Sequence, residues 1–409
     1  MPSVQTYDVV IIGAGAAGLM CAATAGYRGQ RVLLLDHANK AGKKILMSGG
    51  GRCNFTHLET EPRHFLSDNP YFCISALKRY TPRDFVDLVD RHGLEYHEKT
   101  PGQLFCNHKA SDLLDILLTE CEWAGVELRL DTPVQGIDVL GDGMKVDVPG
   151  VEIHCGALVV ATGGLSIPTL GATGFGYELA RQFDLPVQPT RAGLVPFTLH
   201  RDLKEQLAPL SGISLDVAVR CGEQSSEPMP SFAEPMLITH RGLSGPAMLQ
   251  ISSYWQPGER LHVNLMPALG EAGGVEAALR EFRHAHPRAT LRRWLGEQFP
   301  KRLAQLLAEW WLSDAVQDKP LAEHSNQSLA GFAQQLTDWV IAPAGTEGYR
   351  TAEVTLGGVA TDRISSKDFS VKGLPQLRFI GEVLDVTGQL GGFNFQWAWA
   401  SGWCCGESF

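Results

Sequence analysis

The 409-residue chain is 44% hydrophobic and 20% charged, which is typical of a globular α/β protein with about two or three domains. Its 45 acidic and 35 basic side chains give a net charge of −10. That balance argues against nucleic acid or an anionic membrane as the main partner.

The first predicted element is a buried parallel strand at 9–12, where the sequence is apolar and β-branched. Residues 13–18 read GAGAAG, and a helix of small residues follows. In a GxGxxG turn the first glycine allows the tight bend, the second admits a pyrophosphate, and the third permits close helix–strand packing. A second strand at 31–35 ends in Asp36, which is placed to accept hydrogen bonds from an adenine ribose. This order predicts a site for FAD or NAD, and the absence of an arginine directly after the acid disfavours NADP.

Two later segments favour FAD. Residues 155–168, CGALVVATGGLSIP, predict a strand ending in ATGG, and a strand at 377–380 ends in Gly381 and Glu382 before a glycine-rich turn and an apolar helix. In flavoproteins of the two-dinucleotide type, such an acid holds a ribityl hydroxyl. The helix N-terminus then faces the N1–C2=O edge of the flavin, where negative charge collects on reduction. Dehydrogenases that bind only NAD have no need of this element, so we predict FAD, bound non-covalently.

The dinucleotide pattern is absent from the middle of the chain. Short alternating runs at 191–265 predict strands, and helical spacing takes over at 271–340. An arginine-rich stretch lies in the window 270–310, which holds seven basic and five acidic side chains and is expected to be a solvated helical face.

The predicted fold is therefore α/β, with a two-dinucleotide-type, Rossmann-like FAD-binding domain that carries two insertions. The FAD-binding domain comprises residues 1–189 and 350–409. Between them we expect a β-rich subdomain at 190–268 and a helical subdomain at 269–349.

Five motifs along the chain carry a resemblance to a known family: KKILMSGGGRCN, ATGGLSIPTLGATGFGYELA, LITHRGLSGPAML, AEVTLGGV and GEVLDVTGQLGGFNFQWAWASGW. With them the chain resembles the bacterial NAD(P)/FAD-dependent oxidoreductases of the aminoacetone-oxidase-like and bile-acid-operon reductase-like type. The resemblance implies an FAD-binding fold with a β-rich and a helical insertion. It implies no single substrate, because members of the family carry different activities.

The loop at 42–54 contains SGGGRCN and follows the second strand, where the chain in this fold crosses toward the flavin. Its glycines let the backbone approach the pyrophosphate and the ring, and Arg52 offsets phosphate charge. Cys53 is expected to pack near the flavin, because the local sequence offers no resolving thiol. The predicted cofactor-binding residues are Gly13, Ala14, Gly15, Ala16, Ala17, Asp36, His37, Lys43, Lys44, Ser48, Gly49, Gly50, Gly51, Arg52, Cys53, Asn54, Val134, Ala161, Thr162, Gly163, Gly164, Gly381, Glu382, Gly391, Gly392, Phe393 and Asn394.

His240 is the one candidate for catalysis; it ends an apolar run before the tight loop at 242–246. There it would exchange a proton above the flavin, or else cap local backbone groups. No metal site is predicted.

The predicted function is that of an FAD-dependent oxidoreductase moving a hydride between flavin N5 and a small organic substrate. One version oxidises amines or amino ketones with O₂; the other uses NAD(P)H to reduce an activated double bond. A second GxGxxG is absent, which favours the oxidase, or else NAD(P)H that binds only transiently at the flavin. The alternative is a flavin-binding protein without metabolic turnover, related to redox sensing or RNA modification.

The nine cysteines are odd in number and form no CxxC pair, which favours reduced thiols over disulfides or zinc. The N-terminal residues lack a signal-peptide pattern, and no apolar run reaches membrane-spanning length. We therefore expect a cytoplasmic protein with a small-molecule substrate and neither nucleic acid nor membrane as partner. The oligomeric state is left open.

Overall fold

The computed structural model describes residues 3–222 and 230–409. The chain divides into two compact units, one formed by Met1–Ala192 with Ala352–Phe409 and the other by Gly193–Thr351. The predicted division of the middle segment into two subdomains, with its boundary at 268, stays a prediction.

The strands, in chain order, are β1 (Ser3–Ile12), β2 (Val32–Leu35), β3 (Asn54–His57), β4 (Phe65–Leu66), β5 (Tyr96–Thr100), β6 (Gln103–Cys106), β7 (Glu127–Arg129), β8 (Gly136–Leu140), β9 (Gly143–Val148), β10 (Val151–Val160), β11 (Val187–Gly193), β12 (Phe197–Leu199), β13 (Ser214–Cys221), β14 (Ser231–Ile238), β15 (Gly242–Ser244), β16 (Leu261–Asn264), β17 (Trp339–Ile341), β18 (Pro343–Thr346), β19 (Val354–Val359), β20 (Ser370–Val371), β21 (Leu374–Phe379) and β22 (Thr387–Gly388). The α-helices are α1 (Ala16–Tyr27), α2 (Lys43–Met47), α3 (Ile74–Arg79), α4 (Pro82–Arg91), α5 (Ala110–Trp123), α6 (Phe175–Gln182), α7 (Arg201–Leu207), α8 (Pro246–Ser252), α9 (Ala272–Ala285), α10 (Leu291–Gln298), α11 (Lys301–Trp311), α12 (Asp314–Gln317), α13 (Asn326–Thr337) and α14 (Phe393–Gly406).

The first unit is built on a mostly parallel sheet with the order β20-β21-β10-β1-β2-β7, extended by β9 and β8. The central strand β1 pairs in parallel with β10 on one side and β2 on the other. Its residues Val9, Val10 and Ile11 are fully buried, because helices cover both faces of a parallel sheet. The carboxyl ends of β1, β2, β10 and β21 consequently meet at one edge.

Helices α1 and α14 pack unusually closely in this unit because small residues line their contact. A Cβ added at Gly402 would lie 3.1 Å from the Met20 Cβ, and one added at Gly406 would lie 2.6 Å from the Thr24 Cβ. Most of the apolar residues of α14, including Trp397 and Trp399, are buried. Close packing therefore fixes the N-terminus of α14 relative to the turn that follows β1.

The second unit contains an antiparallel sheet with the order β17-β16-β13-β14-β15-β12-β18. Strands β17 and β18 follow the helical segment in sequence and pair with β16 and β12. Residues from this sheet and from helices α9, α10, α11 and α13 share one hydrophobic core, which includes Val219, Leu279, Trp294 and Leu336. The strand-rich and helix-rich stretches of the sequence are thus packed around the same interior.

The predicted elements of the dinucleotide fold are present with shifted ends. The predicted strand at 377–380 corresponds to β21, which runs from Leu374 to Phe379. The strand predicted at the start of the chain is longer than its apolar run, because β1 begins at Ser3 and pairs with β10 along its length. Within the described residues, no helix has the length and apolar character needed to cross a membrane.

Candidate flavin-binding site

The glycine-rich turn joins β1 to α1 and is closed by backbone packing. Gly13 has a φ of +109°, and a Cβ there would overlap the Ala161 carbonyl at the end of β10. A Cβ at Gly18 would overlap the Gly13 carbonyl oxygen, so neither position admits a side chain. At Gly15, in contrast, a Cβ would meet no other described atom within 4 Å. Two glycines therefore serve packing, while Gly15 borders open space where a ligand can approach.

Helix α1 starts at this open position with Gly15 as its N-cap and without a side-chain cap. Its first-turn amides have no partner within the helix and carry the positive end of the helix dipole. This donor set suits a pyrophosphate.

Asp36, at the end of β2, links the turn to the neighbouring loop. Its Oδ2 accepts a hydrogen bond from the Ala14 amide at 2.8 Å, and its Oδ1 accepts one from the Ala38 amide at 2.8 Å. A carboxylate offers about four lone-pair positions, so two remain for ribose hydroxyls. The side chain is 15% exposed, so a ligand can reach it.

A second group of predicted residues meets at the ends of β10 and β21. The Lys44 Nζ lies 2.7 Å from the Glu382 Oε2 and 2.6 Å from the Ser166 Oγ. The Thr355 amide donates to the Glu382 Oε1 at 3.0 Å. The fold thus pairs Lys44 with Glu382, two residues that the sequence analysis placed independently at the cofactor.

The ATGG segment lies beside this pair. Gly163 has a φ of +71°, and the Glu382 carboxylate, at 3.8 Å, is the only described atom near its added Cβ. The buried Thr162 hydroxyl has no hydrogen-bond partner in the described part of the chain. Gly163 therefore leaves its backbone open to a ligand beside the Glu382 carboxylate.

The SGGGRCN loop has an unusual backbone. Gly49, Gly50 and Gly51 have φ values of 55°, 66° and 86°, and Cys53 adds a fourth positive value of 42°. A Cβ on Gly50 or Gly51 would meet no other described atom within 4 Å, and Arg52 is exposed. Cys53 is fully buried, and burial raises the pKa of its thiol far above the ordinary value. The loop therefore presents glycine backbone and one arginine outward while the sulfur packs inside.

A third group surrounds the N-terminus of α14. Gly392, the N-cap, has a φ of 97°, and a Cβ there would lie 2.6 Å from the Thr56 carbonyl group. The Asn394 side chain accepts from the Gly388 amide and donates to the Gly388 carbonyl, both at 2.8 Å. Asn54 and Gln103 bond through their side-chain amides at 3.2 Å. The first turn of α14 is thereby fixed against β3 and β6.

Three predicted residues lie at the margin of these groups. The His37 Nδ1 lies 3.6 Å from the Asp36 Oδ1, and its Nε2 lies 2.9 Å from the Gly171 carbonyl oxygen at an exposed position. Lys43 and Val134 are partly exposed, and Val134 packs against the hydrophobic core of the first unit. Their roles at the cofactor stay predictions.

His240 lies in the second unit, exposed in the turn between β14 and β15. The backbone of this turn is capped by a neighbour, because the Thr239 hydroxyl accepts hydrogen bonds from the Arg241 and Gly242 amides. Among the described residues His240 has no hydrogen-bond partner, so its proposed capping role falls to Thr239. Its catalytic role stays a prediction.

Sequence reasoning missed Ser166, Thr355 and Gln103. Each contacts a predicted residue that lies well away from it along the chain. Ser166 and Thr355 had a signal, because they lie within the motifs ATGGLSIPTLGATGFGYELA and AEVTLGGV, whereas Gln103 had none.

The turn, the acid, the ATGG strand and the late acid with its helix together define a Rossmann-like FAD-binding fold of the flavoprotein oxidoreductase class. Residues 7–408 match the family described as "HI0933-like protein Rossmann domain", and the chain belongs to this family. The narrower resemblance to aminoacetone-oxidase-like proteins finds no counterpart among the relatives described below.

Relatives named for two different reactions match nearly the whole chain. A ribosomal RNA dihydrouridine synthase of Escherichia coli strain K12 is 51% identical over 403 residues, 98% of each chain. A 3-dehydro-bile acid delta(4,6)-reductase of Clostridium scindens is 28% identical over 409 residues, 97% of this chain and 98% of its own. Among solved structures, 3-ketosteroid-delta4-(5alpha)-dehydrogenase from Rhodococcus jostii RHA1 aligns over 98% of this chain and 97% of its own, with a TM-score of 0.49 and 14% identity.

Proposed function

We propose that this protein is an FAD-dependent reductase that saturates the C5=C6 bond of a uridine in ribosomal RNA. The observation that carries the proposal is its 51% identity, over 98% of both chains, to a protein named for that product. The glycine turn, Asp36 and Glu382 provide the donors and acceptors that an FAD molecule requires.

The chemistry of two differently named relatives supports reduction over oxidation. Dihydrouridine is formed by adding hydrogen across a carbon–carbon double bond conjugated with a carbonyl group. A delta(4,6)-reductase of a 3-dehydro bile acid acts on double bonds conjugated with the 3-keto group. The shared reaction is therefore reduction of a carbonyl-activated double bond, the second of the two versions that the sequence left open.

In this proposal the first-turn amides of α1 bind the pyrophosphate, and Asp36 binds the adenine ribose. Glu382 accepts a hydrogen bond from the ribityl chain, with Lys44 balancing its charge. The N-terminus of α14 stabilises negative charge at the flavin edge. When bound and reduced, FAD supplies a hydride, and a reduced nicotinamide dinucleotide is the proposed source of electrons.

An RNA substrate departs from the expectation drawn from net charge, because net charge averages over the whole surface. Residues 282–296, FRHAHPRATLRRWLG, contain four arginines and two histidines and no acidic residue. Arg288 and Arg292 are exposed, and neither lies within ion-pair distance of a described carboxylate. We infer that this basic segment, residues 282–296, contacts RNA phosphates.

Anaerobic stopped-flow measurements on the FAD-loaded protein test the assignment. The flavin is reduced with NADH or NADPH and then mixed with unmodified ribosomal RNA or with O₂, and oxidised flavin is mixed separately with aminoacetone. We expect RNA to reoxidise the reduced flavin faster than O₂ does, and aminoacetone to leave the oxidised flavin unreduced. Reduction of oxidised flavin by aminoacetone, with rapid reoxidation by O₂ and none by RNA, would instead establish the oxidase.

A further inference from the structure

Two histidines lie against the first residue of α14, within the first unit. The His57 ring stacks on Phe393 with centroids 4.4 Å apart and planes inclined by 17°. The His64 ring lies 4.5 Å from the same phenyl ring, and the two imidazoles are 6.3 Å apart. These distances form a nearly right-angled triangle with its corner at Phe393, so both imidazoles lie beside the N-terminus of α14.

Backbone hydrogen bonds set the tautomer of both rings. The Glu59 amide donates to the His57 Nδ1 at 3.1 Å, and the Glu61 amide donates to the His64 Nδ1 at 3.1 Å. An Nδ1 that accepts a hydrogen bond leaves the proton of a neutral imidazole on Nε2. Neither Nε2 has a partner among the described residues, so two N–H donors are left for a ligand.

The surroundings of both rings favour the neutral form of the imidazole. Burial lowers the pKa of His57, and the carboxylates of Glu59 and Glu98 only partly oppose it. Burial also lowers the pKa of His64, with a further lowering from Arg63 and His57 that outweighs Glu61 and Glu59. A neutral imidazole donates one hydrogen bond without adding a buried charge.

The rings are also held in place by neighbouring backbone. Gly102 has a φ of +84°, and a Cβ there would overlap the His57 ring, so the ring lies between Gly102 and Phe393. The Gln389 amide donates to the His64 carbonyl at 2.8 Å, which ties that residue to the turn before α14. Preorganised donors of this kind stabilise developing charge more effectively than mobile ones.

We infer that His57 and His64 bind the carbonyl oxygen conjugated with the double bond that the enzyme reduces, each donating from Nε2. The inference rests on the proposed function and deepens it by specifying how the substrate is recognised. The recognised group is a carbonyl in the position of the uracil C4=O. It places this recognition in the first unit, next to the predicted cofactor residues Phe393 and Asn394.

Reduction of the uracil ring takes place in two steps, hydride addition and protonation. A hydride adds to the β carbon, C6 of the uracil, and the C5=C6 electron pair moves to form an enolate on C4–O. The two Nε2–H groups donate hydrogen bonds to that oxygen as its charge grows. Water then protonates C5 and restores the carbonyl. The substrate gains one hydride and one proton, and the reduced nicotinamide supplies the two electrons.

The test compares His57→Gln with His57→Phe in the FAD-loaded protein. Phenylalanine preserves the stacking on Phe393 but cannot donate, whereas glutamine retains an N–H donor near the Nε2 position. We expect single-turnover reduction of ribosomal RNA to fall roughly 100-fold in His57→Phe and much less in His57→Gln, as for loss of one oxyanion donor. If His57 acted only by packing against Phe393, His57→Phe would reduce RNA faster than His57→Gln.

FAD affinity and imidazole ¹⁵N chemical shifts test the same inference without depending on turnover. Both variants should retain the FAD affinity of the wild type, and imidazole ¹⁵N shifts in the loaded wild type should report Nε2-protonated tautomers for His57 and His64. An Nδ1-protonated tautomer, or equal turnover in His57→Phe and wild type, would overturn the inference. If the wild type itself reduces no RNA, the proposed function fails instead, so the two failures are distinguishable.

Discussion

At the scale of single residues, the SGGGRCN loop explains why three glycines occur together. Gly49, Gly50 and Gly51 adopt left-handed φ values that other residues avoid. The reason differs between them: a Cβ on Gly49 would lie 2.9 Å from the Asn54 amide, whereas Gly50 borders open space. Conformation alone therefore selects glycine at Gly50 in the free protein, and any additional constraint there must come from a ligand.

Substitution of Gly50 separates these two effects. Gly50→Val should destabilise the loop and abolish FAD binding, because a β-branched residue tolerates φ +66° poorly. Gly50→Asn should fold normally, since asparagine adopts this conformation at low cost. Both are assayed by flavin content after purification and by thermal unfolding. If the cofactor approaches the backbone here, Gly50→Asn also loses FAD; full FAD content in that variant would exclude close contact at Gly50.

The Lys44–Glu382 pair is the second residue-scale feature. The two side chains are 39% and 19% exposed, so they are accessible to a ligand as well as bonded to each other. We expect Glu382→Gln to weaken FAD binding by about tenfold or more, because it removes a charge-assisted acceptor worth roughly 1.5–3 kcal/mol. Titration of the apoprotein by flavin fluorescence quenching measures the change.

A matched control for this prediction is Glu407→Gln, which removes a carboxylate paired with Arg28 in the same unit at 3.7 Å. That variant should bind FAD like the wild type. If both variants weaken binding equally, the loss reflects the charge of the unit and not a contact made by Glu382.

At the scale of elements, the segment from β3 to β4 carries both half-buried histidines and gives the unit a pH dependence. Their pKa values in the folded state lie below the unfolded value of about 6.5. The unfolded chain therefore binds more protons below about pH 6.5, and stability is lost as the pH falls through this value toward the folded pKa.

The double variant His57→Gln/His64→Gln should lose less stability than the wild type as the pH is lowered from about 7 to about 5. Urea unfolding at a series of pH values, followed by tryptophan fluorescence, measures both curves. Parallel curves for the two proteins would show that neither imidazole is kept neutral by the fold.

The elements of the dinucleotide fold were predictable because their signals are local. The strand, turn and helix around the GAGAAG segment all lie between Ser3 and Tyr27. The role of the turn follows from the conformations that its glycines allow. The contacts of His57 and Phe393 were not predictable, because the fold joins residues from opposite ends of the chain. Likewise, β17 and β18 join the sheet of the second unit after a long helical segment. The sequence periodicity predicts strands and helices but does not predict that these two strands pair with β16 and β12.

At the scale of the whole molecule, the distribution of charge matters more than its total. The chain has a net charge of −10, yet the basic segment 282–296 concentrates positive charge at the end of α9 and the beginning of α10. Hydrogen bonds from the Leu321 and Ala322 amides to the Ala289 and Pro287 carbonyls fix the backbone of this segment. A fixed basic surface can bind phosphates despite an acidic average.

The double variant Arg288→Ala/Arg292→Ala should bind ribosomal RNA more weakly, with a salt-dependence slope smaller by about one per arginine. FAD content should not change. Arg201→Ala provides the control, because Arg201 is also exposed in the same unit but is paired with Glu205 at 2.8 Å. If the control and the double variant lower the slope alike, binding is diffuse and the basic segment is not the RNA contact.

The central claim, reduction of a uridine in ribosomal RNA, is tested most directly by the product. Unmodified ribosomal RNA is incubated anaerobically with the FAD-loaded protein and NADH or NADPH, digested to nucleosides and oligonucleotides, and analysed by mass spectrometry. We expect dihydrouridine at a defined position, formed only when both protein and reductant are present, and in much smaller amounts with His57→Phe. RNA that remains free of dihydrouridine, while the reduced flavin is readily reoxidised by a small unsaturated ketone, would contradict it.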